Sequence, residues 1–195
     1  MLSSRNYAPA SKLLPFLRRF YIFDAALPDS FELEDMLLAD NAFVRILLKG
    51  DWQYLDADGH WSPLTGAMVF GANSRAVRVR VKGPFSVASF AIRPSAWPAL
   101  FSQPASDVAD RILPLADLWG DALATKCTDA VMTAGSDEQQ VAAMSLAVEQ
   151  QMERVGVGRI DPIVASFESI ARTDSTGAVC RNLVRSGGAY FQLCS

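Results

Sequence analysis

Apolar positions recur every second residue in the first half of the chain and every third or fourth residue in the second half. The clearest alternation lies at 76–82, where Val77, Val79 and Val81 share one face and Arg78, Arg80 and Lys82 the other. A period of two marks a strand with one buried face. Shorter apolar runs at 31–38, 43–48, 52–56, 67–70 and 85–92 also read as strands. Between them, Asp40-Asn41, Lys49-Gly50-Asp51, Asp58-Gly59 and Gly83-Pro84 read as turns, and Asp58-Gly59 is the strongest hairpin signal. The run at 13–21 carries apolar anchors and two arginines, and fits a strand or a short helix equally well. Residues 1–12 are polar and are expected to be loose. Short strands at this spacing predict a small antiparallel barrel or sandwich.

The change of period falls between 85 and 120. Arg93-Pro94 stops the last strand, because proline has no N–H and biases its predecessor away from helix. Residues 95–101 then form a short helix. From Leu115, a stripe of Trp119, Leu123, Cys127 and Val131 predicts one long amphipathic helix ending at Gly135. Ser136-Asp137-Glu138-Gln139 is a capping box for a second helix, with Val141, Met144, Val148, Met152 and Val155 on its apolar side and Gly156 beyond its end. Asp161-Pro162 opens a third, with Ile163, Phe167 and Ile170 as its stripe. The expected fold class is α+β: a small antiparallel β-barrel or sandwich followed by an α-helical segment of about three helices. Residues 1–170 form that domain, and 171–195 are a linker and tail.

A chain of 195 residues, half of them hydrophobic, can bury a core without staples. Its net charge of -3 gives no electrostatic footprint for nucleic acid. No apolar run reaches the roughly 18 residues of a membrane helix, so no membrane partner is expected. Three scattered cysteines do not make a disulfide framework, and a reduced, cytoplasmic setting is expected.

Chemistry is sparse. The single histidine, His60, sits beside a turn, which argues against a metal site. No serine or cysteine stands in a nucleophile context, Gly156 and Gly158 lack the rest of a dinucleotide motif, and no cofactor is expected. The row Arg75, Arg78, Arg80, Lys82 reads as a wet strand face. Trp52 and Tyr54, two aromatics on one strand, either line a ligand cavity or fill the core. Arg45 stands in an apolar strand, and either reaches solvent or waits, buried, for an anionic partner. Trp52, Tyr54 and Arg45 are the candidate ligand-binding residues, and none is assigned to catalysis, metal or DNA.

The segment 85–120 resembles the sensor region of AraC-type bacterial transcriptional regulators. The matching pieces are the strand 85–94, the phrase Leu100-Phe101 through Pro104-Ala105 to Asp110-Arg111, and Pro114-Leu115-Ala116-Asp117-Leu118-Trp119-Gly120. The resemblance spans about residues 13–170. It implies a cupin-like barrel in a non-enzymatic, ligand-sensing, homodimerising domain that controls transcription, with DNA reached only through a helix-turn-helix domain. No such domain is recognisable after 170, so the chain reads as a sensor half without its DNA-binding half, and 171–195 as a linker with a truncated or disordered tail. The alternative is a stand-alone cupin-like small-molecule-binding protein or enzyme.

Overall fold

Two long strands carry the architecture. β4 (Phe43–Leu55) and β7 (Val77–Ile92) pair antiparallel along most of their length. The computed structural model describes residues 2–156 and 160–174, so the expectation for the tail beyond 174 lies outside the described residues. One half of β7 also pairs with β2 (Leu17–Ala25), which in turn pairs with β1 (Leu2–Tyr7). The other half pairs with β3 (Glu32–Leu37). β4 continues outward to β6 (Ala67–Phe70) and β8 (Ile112–Pro114), and hairpins into β5 (Trp61–Pro63). All these pairs are antiparallel, forming one eight-stranded sheet.

The sheet has a core on each face. On one side Phe43, Trp52, Met68, Phe70, Val79, Val81, Phe85 and Val87 pack together. On the other, Phe20, Ile22, Val44, Ile46, Val69 and Phe90 meet Leu100, Trp119, Leu123, Cys127, Val131, Met144 and Val148 from the helices. Strands covered on both faces explain why 43–48 and 85–92 read as nearly unbroken apolar runs rather than alternating ones.

After β7 come a 3₁₀ turn (Pro94–Ala96) and α1 (Trp97–Leu100), followed by α2 (Ala105–Val108) and, beyond β8, α3 (Leu115–Trp119). The long helices are α4 (Asp121–Thr133), α5 (Asp137–Val155) and α6 (Pro162–Asp174). Ser136 caps α5 by accepting from the Gln139 N–H, and Gln139 reaches back to the Gly135 N–H. The α+β class and the order expected from the sequence, an antiparallel sheet followed by helices, are observed.

Of the two readings of 13–21, the strand holds for residues 17–21, which open β2 after a turn. Three local expectations are corrected. Residues 2–7 are not loose, because they add β1 to the sheet edge. The stripe from Leu115 to Val131 is broken at Gly120, whose φ of 81° separates α3 from α4. Finally, Lys49-Gly50-Asp51 and Gly83-Pro84 are not turns. They lie within β4 and β7, facing one another where the register shifts between Leu47, Lys49 and Asp51. Gly50 has a φ of 107°, and a Cβ there would stand 2.6 Å from the Cβ of Phe85. Glycine is required at that bulge both for its backbone angle and for the close approach.

An ionic clamp ties the strands to the helices. Arg5 of β1 bridges Asp24 of β2 at 2.5 Å and Asp137 in the first turn of α5. The Tyr7 hydroxyl also donates to Asp137, at 2.6 Å. The Arg5 guanidinium, with Tyr7, holds the Asp137 carboxyl below its ordinary range.

Candidate functional site

Ser89 of β7 is the direct cross-strand partner of both Tyr21 on β2 and Arg45 on β4. Arg45 is in turn paired with Met68 on β6. Residues directly opposite in a sheet share a face, so Tyr21, Ser89, Arg45 and Met68 form one row across four strands. The row lies on the face of the inner core, and Arg45 is only 4% exposed.

The guanidinium is enclosed by rings. Its carbon lies 4.7 Å from the Trp52 ring centre, 4.8 Å from Phe43, 5.4 Å from Phe70 and 5.7 Å from Tyr21. Phe43 and Phe70 are stacked at 4.5 Å, and Phe85 packs against Trp52 at 5.5 Å, so the cage is braced from behind. These distances favour a cation through the ring quadrupoles. Hydrogen bonding is incomplete. Nη2 donates to the Tyr21 hydroxyl at 3.1 Å, and Nε makes a long contact of 3.4 Å to the Ser89 hydroxyl. Among the described residues Nη1 has no partner, and neither does the indole Nε1–H of Trp52, itself 1% exposed. No carboxylate pairs with Arg45 among the described residues. A buried cation without a counter-ion is costly, and so is each buried donor left without an acceptor.

Arg45 and Trp52 both line a narrow crevice with room for about one water molecule, together with Leu47, Leu64, Gly66, Met68 and Phe70. A second, narrow apolar cleft is lined by Phe85 with Phe23, Leu33, Asp35, Val79 and Val81. Trp52 and Phe85 stand between the two.

Two of the three sequence-derived candidates are therefore brought together. A strict alternation along β4 puts Arg45 and Trp52 on opposite faces. The two register shifts at Leu47/Lys49 and Lys49/Asp51 bring them onto the same face. Tyr54 packs at the edge of the same core without lining the cleft. Tyr21, Phe43, Phe70 and Ser89 complete the cage and were not read from the sequence. Ser89 carried a signal, as a polar residue within the apolar run 85–92.

The other polar features are accounted for locally. Arg78 and Arg80 bind Glu34 at 2.7 and 2.5 Å, Lys82 and Arg80 reach Glu32, and Arg80 lies 4.1 Å over Trp61, making a wet cross-strand ladder. The His60 side chain is 80% exposed. Cys127 is buried under the helices, and burial pushes its thiol up to about 12. Cys180 and Cys194 lie outside the described residues. No group of three metal-ligating side chains occurs among the described residues, and no described helix is long and apolar enough to cross a membrane.

Among solved structures, the chain is similar to an apo ToxT variant from Vibrio cholerae, at 12% identity and a TM-score of 0.48, over 90% of this chain and 69% of that one. It is also similar to a cupin superfamily protein from Desulfitobacterium hafniense, at 12% identity and a TM-score of 0.33, over 47% of this chain and 77% of the other. A third is the cupin_2 domain of an XRE family transcriptional regulator from Enterobacter cloacae, at 17% identity and a TM-score of 0.32, over 48% and 97%. No curated protein matches the chain. Residues 5–114, more than half of the sequence and all eight strands but the start of β1, match one family model, and the chain belongs to that family, the domain of unknown function DUF6597.

Proposed function

We propose that this chain is a non-enzymatic sensor domain of an AraC-type bacterial transcriptional regulator, acting in the cytoplasm, and that its barrel binds a small effector. The observation that carries the reading is the Arg45 cage. It is a buried, ring-enclosed cation with a donor that no described residue satisfies, beside a second such donor on Trp52. Both groups are pure donors, and arginine does not give up its proton in proteins, so they suit recognition rather than proton transfer. In this reading the helices mediate homodimerisation, and DNA contact falls to a helix-turn-helix unit. The face of α6 bearing Ile163, Phe167 and Ile170, exposed to 68%, 68% and 58%, supports self-association. Light scattering with native mass spectrometry of the purified chain tests both parts. A dimer carrying a small molecule is expected. A monomer that never acquires a ligand, under any compound tried, would overturn the proposal.

A further inference from the structure

We infer that Ser95 is a latch that holds α6 against the fold, and that α6, unlike α4 and α5, can be released without opening the core. At about 100° per residue, Asp161 and Glu168 lie on one side of α6, and Ile163, Phe167 and Ile170 on the opposite side. The side turned inward is polar. The Asp161 N–H donates to the Ser95 carbonyl at 2.8 Å, and the Ser95 hydroxyl donates to the Glu168 carboxylate. One residue thus grips α6 at two points, two turns apart. Ser95 is 2% exposed and stands in the 3₁₀ turn, which is the main contact of α6 with the rest of the fold. The turn is itself fixed, because the Arg93 N–H donates to the Phe16 carbonyl and the Ala96 N–H to the Arg93 carbonyl, both at 2.9 Å. No residue from 161 to 170 is buried, whereas α4 buries Leu123, Cys127 and Val131, and α5 buries Met144, Ala147 and Val148. Apolar burial therefore holds α4 and α5, and polar contacts hold α6. A free helix of 13 residues is marginal in water, so α6 unwinds once released. The latch also sets which side of α6 faces out. The apolar stripe is presented for self-association only while α6 is held, and that consequence rests on the self-association reading above, whereas the latch does not.

Hydrogen exchange of the full chain, read by mass spectrometry on peptides from α5 and α6, tests the latch in wild type, Ser95→Ala, Glu168→Ala and the double variant. Wild-type α6 is expected to exchange faster than α5. Each single variant should speed exchange in α6 about tenfold to a hundredfold, the value of a hydrogen bond to a charged group, and leave α5 unchanged. The double variant should be no faster than the more affected single one, because both remove the same bond. Wild-type α6 exchanging as slowly as α5, or α6 unaffected in both single variants, would overturn the latch. Where Ser95→Ala speeds every element, Glu168→Ala decides, since it changes a helix face that buries no residue. Light scattering of the same samples reads the consequence. A wild-type dimer and monomeric single variants are expected. Variants that stay dimeric while their α6 exchange has risen would overturn the link from latch to self-association. A monomeric wild type would overturn the self-association reading and leave the latch to be decided by exchange.

Discussion

Arg45→Met separates a ligand group from a structural strut. The substitution removes the hydrogen bond to Tyr21 and the long contact to Ser89. A hydrogen bond to a charged group contributes about 1.5–3 kcal/mol. It also removes the attraction to four rings at 4.7–5.7 Å, worth about 0.5–2 kcal/mol for a single ring and less than additive for four. Against this, it removes a buried cation without a counter-ion, whose desolvation costs several kcal/mol. It also removes an unsatisfied Nη1, at about 1–3 kcal/mol. Methionine is unbranched and polarizable, so it keeps a contact with the rings. The opposing terms are of equal size, and the net change in apo stability is expected to stay within about 1 kcal/mol. For a chain of 195 residues that is a Tm shift of about 2–4 °C in either direction. The assay is urea and thermal unfolding of the ligand-free protein. A loss of more than about 3 kcal/mol, as for truncating a large core side chain, would show that Arg45 holds the barrel together and refute the view that it is kept for a ligand.

Other outcomes follow from particular contacts. Gly71→Ala should destabilise by about 3 kcal/mol or more in denaturant unfolding, because a Cβ there would lie 1.9 Å from the Val108 carbonyl oxygen and neither backbone can yield cheaply. Arg5→Met should lower stability by about 1 kcal/mol at pH 7. The folded Asp137 carboxyl is held below its ordinary range, so its contribution is fully present above the unfolded value of about 4 and is lost as pH falls through the folded one. The gap between Arg5→Met and wild type in urea midpoint should therefore close below about pH 4, and a gap unchanged at pH 3 would contradict the clamp. In a Cys180→Ser/Cys194→Ser background, Cys127 should resist a thiol reagent at pH 8 until the protein unfolds, given its burial and a thiol raised to about 12. Phe167→Glu should shift light scattering from dimer to monomer while the far-ultraviolet circular dichroism of the folded chain stays unchanged, and its melting temperature should lose any dependence on protein concentration.

The sequence carried the layer order well, because the switch from period two to a helical period at 85–120 reflects burial, and burial patterns survive in a single chain. The alternation at 76–82 located half of β7 and its wet ladder. β1 escaped because an edge strand with one half-buried face needs little hydrophobicity. Gly50 and Gly83 looked like turns because a bulge and a turn ask the same of a glycine, a positive φ. That ambiguity hid the site. Arg45 and Trp52 are each visible as unusual residues, but their meeting depends on a register shift set by the partner strand. Tyr21 and Ser89 join them only through pairing across β2, β7 and β4. Such pairings connect positions many tens of residues apart and leave no local pattern.

The most direct test is the Trp52 indole itself. The chain has four tryptophans, and the indole N–H groups of Trp97 and Trp119 already donate to the carbonyls of Gln103 and Leu100. In a nitrogen–proton correlation spectrum of the full chain, a small effector bound at the cage should move the Trp52 indole signal and leave those of Trp97 and Trp119 in place, and the movement should be lost in Arg45→Met. A Trp52 signal that stays fixed while an effector binds would place the ligand elsewhere and contradict the Arg45 cage as the sensing site.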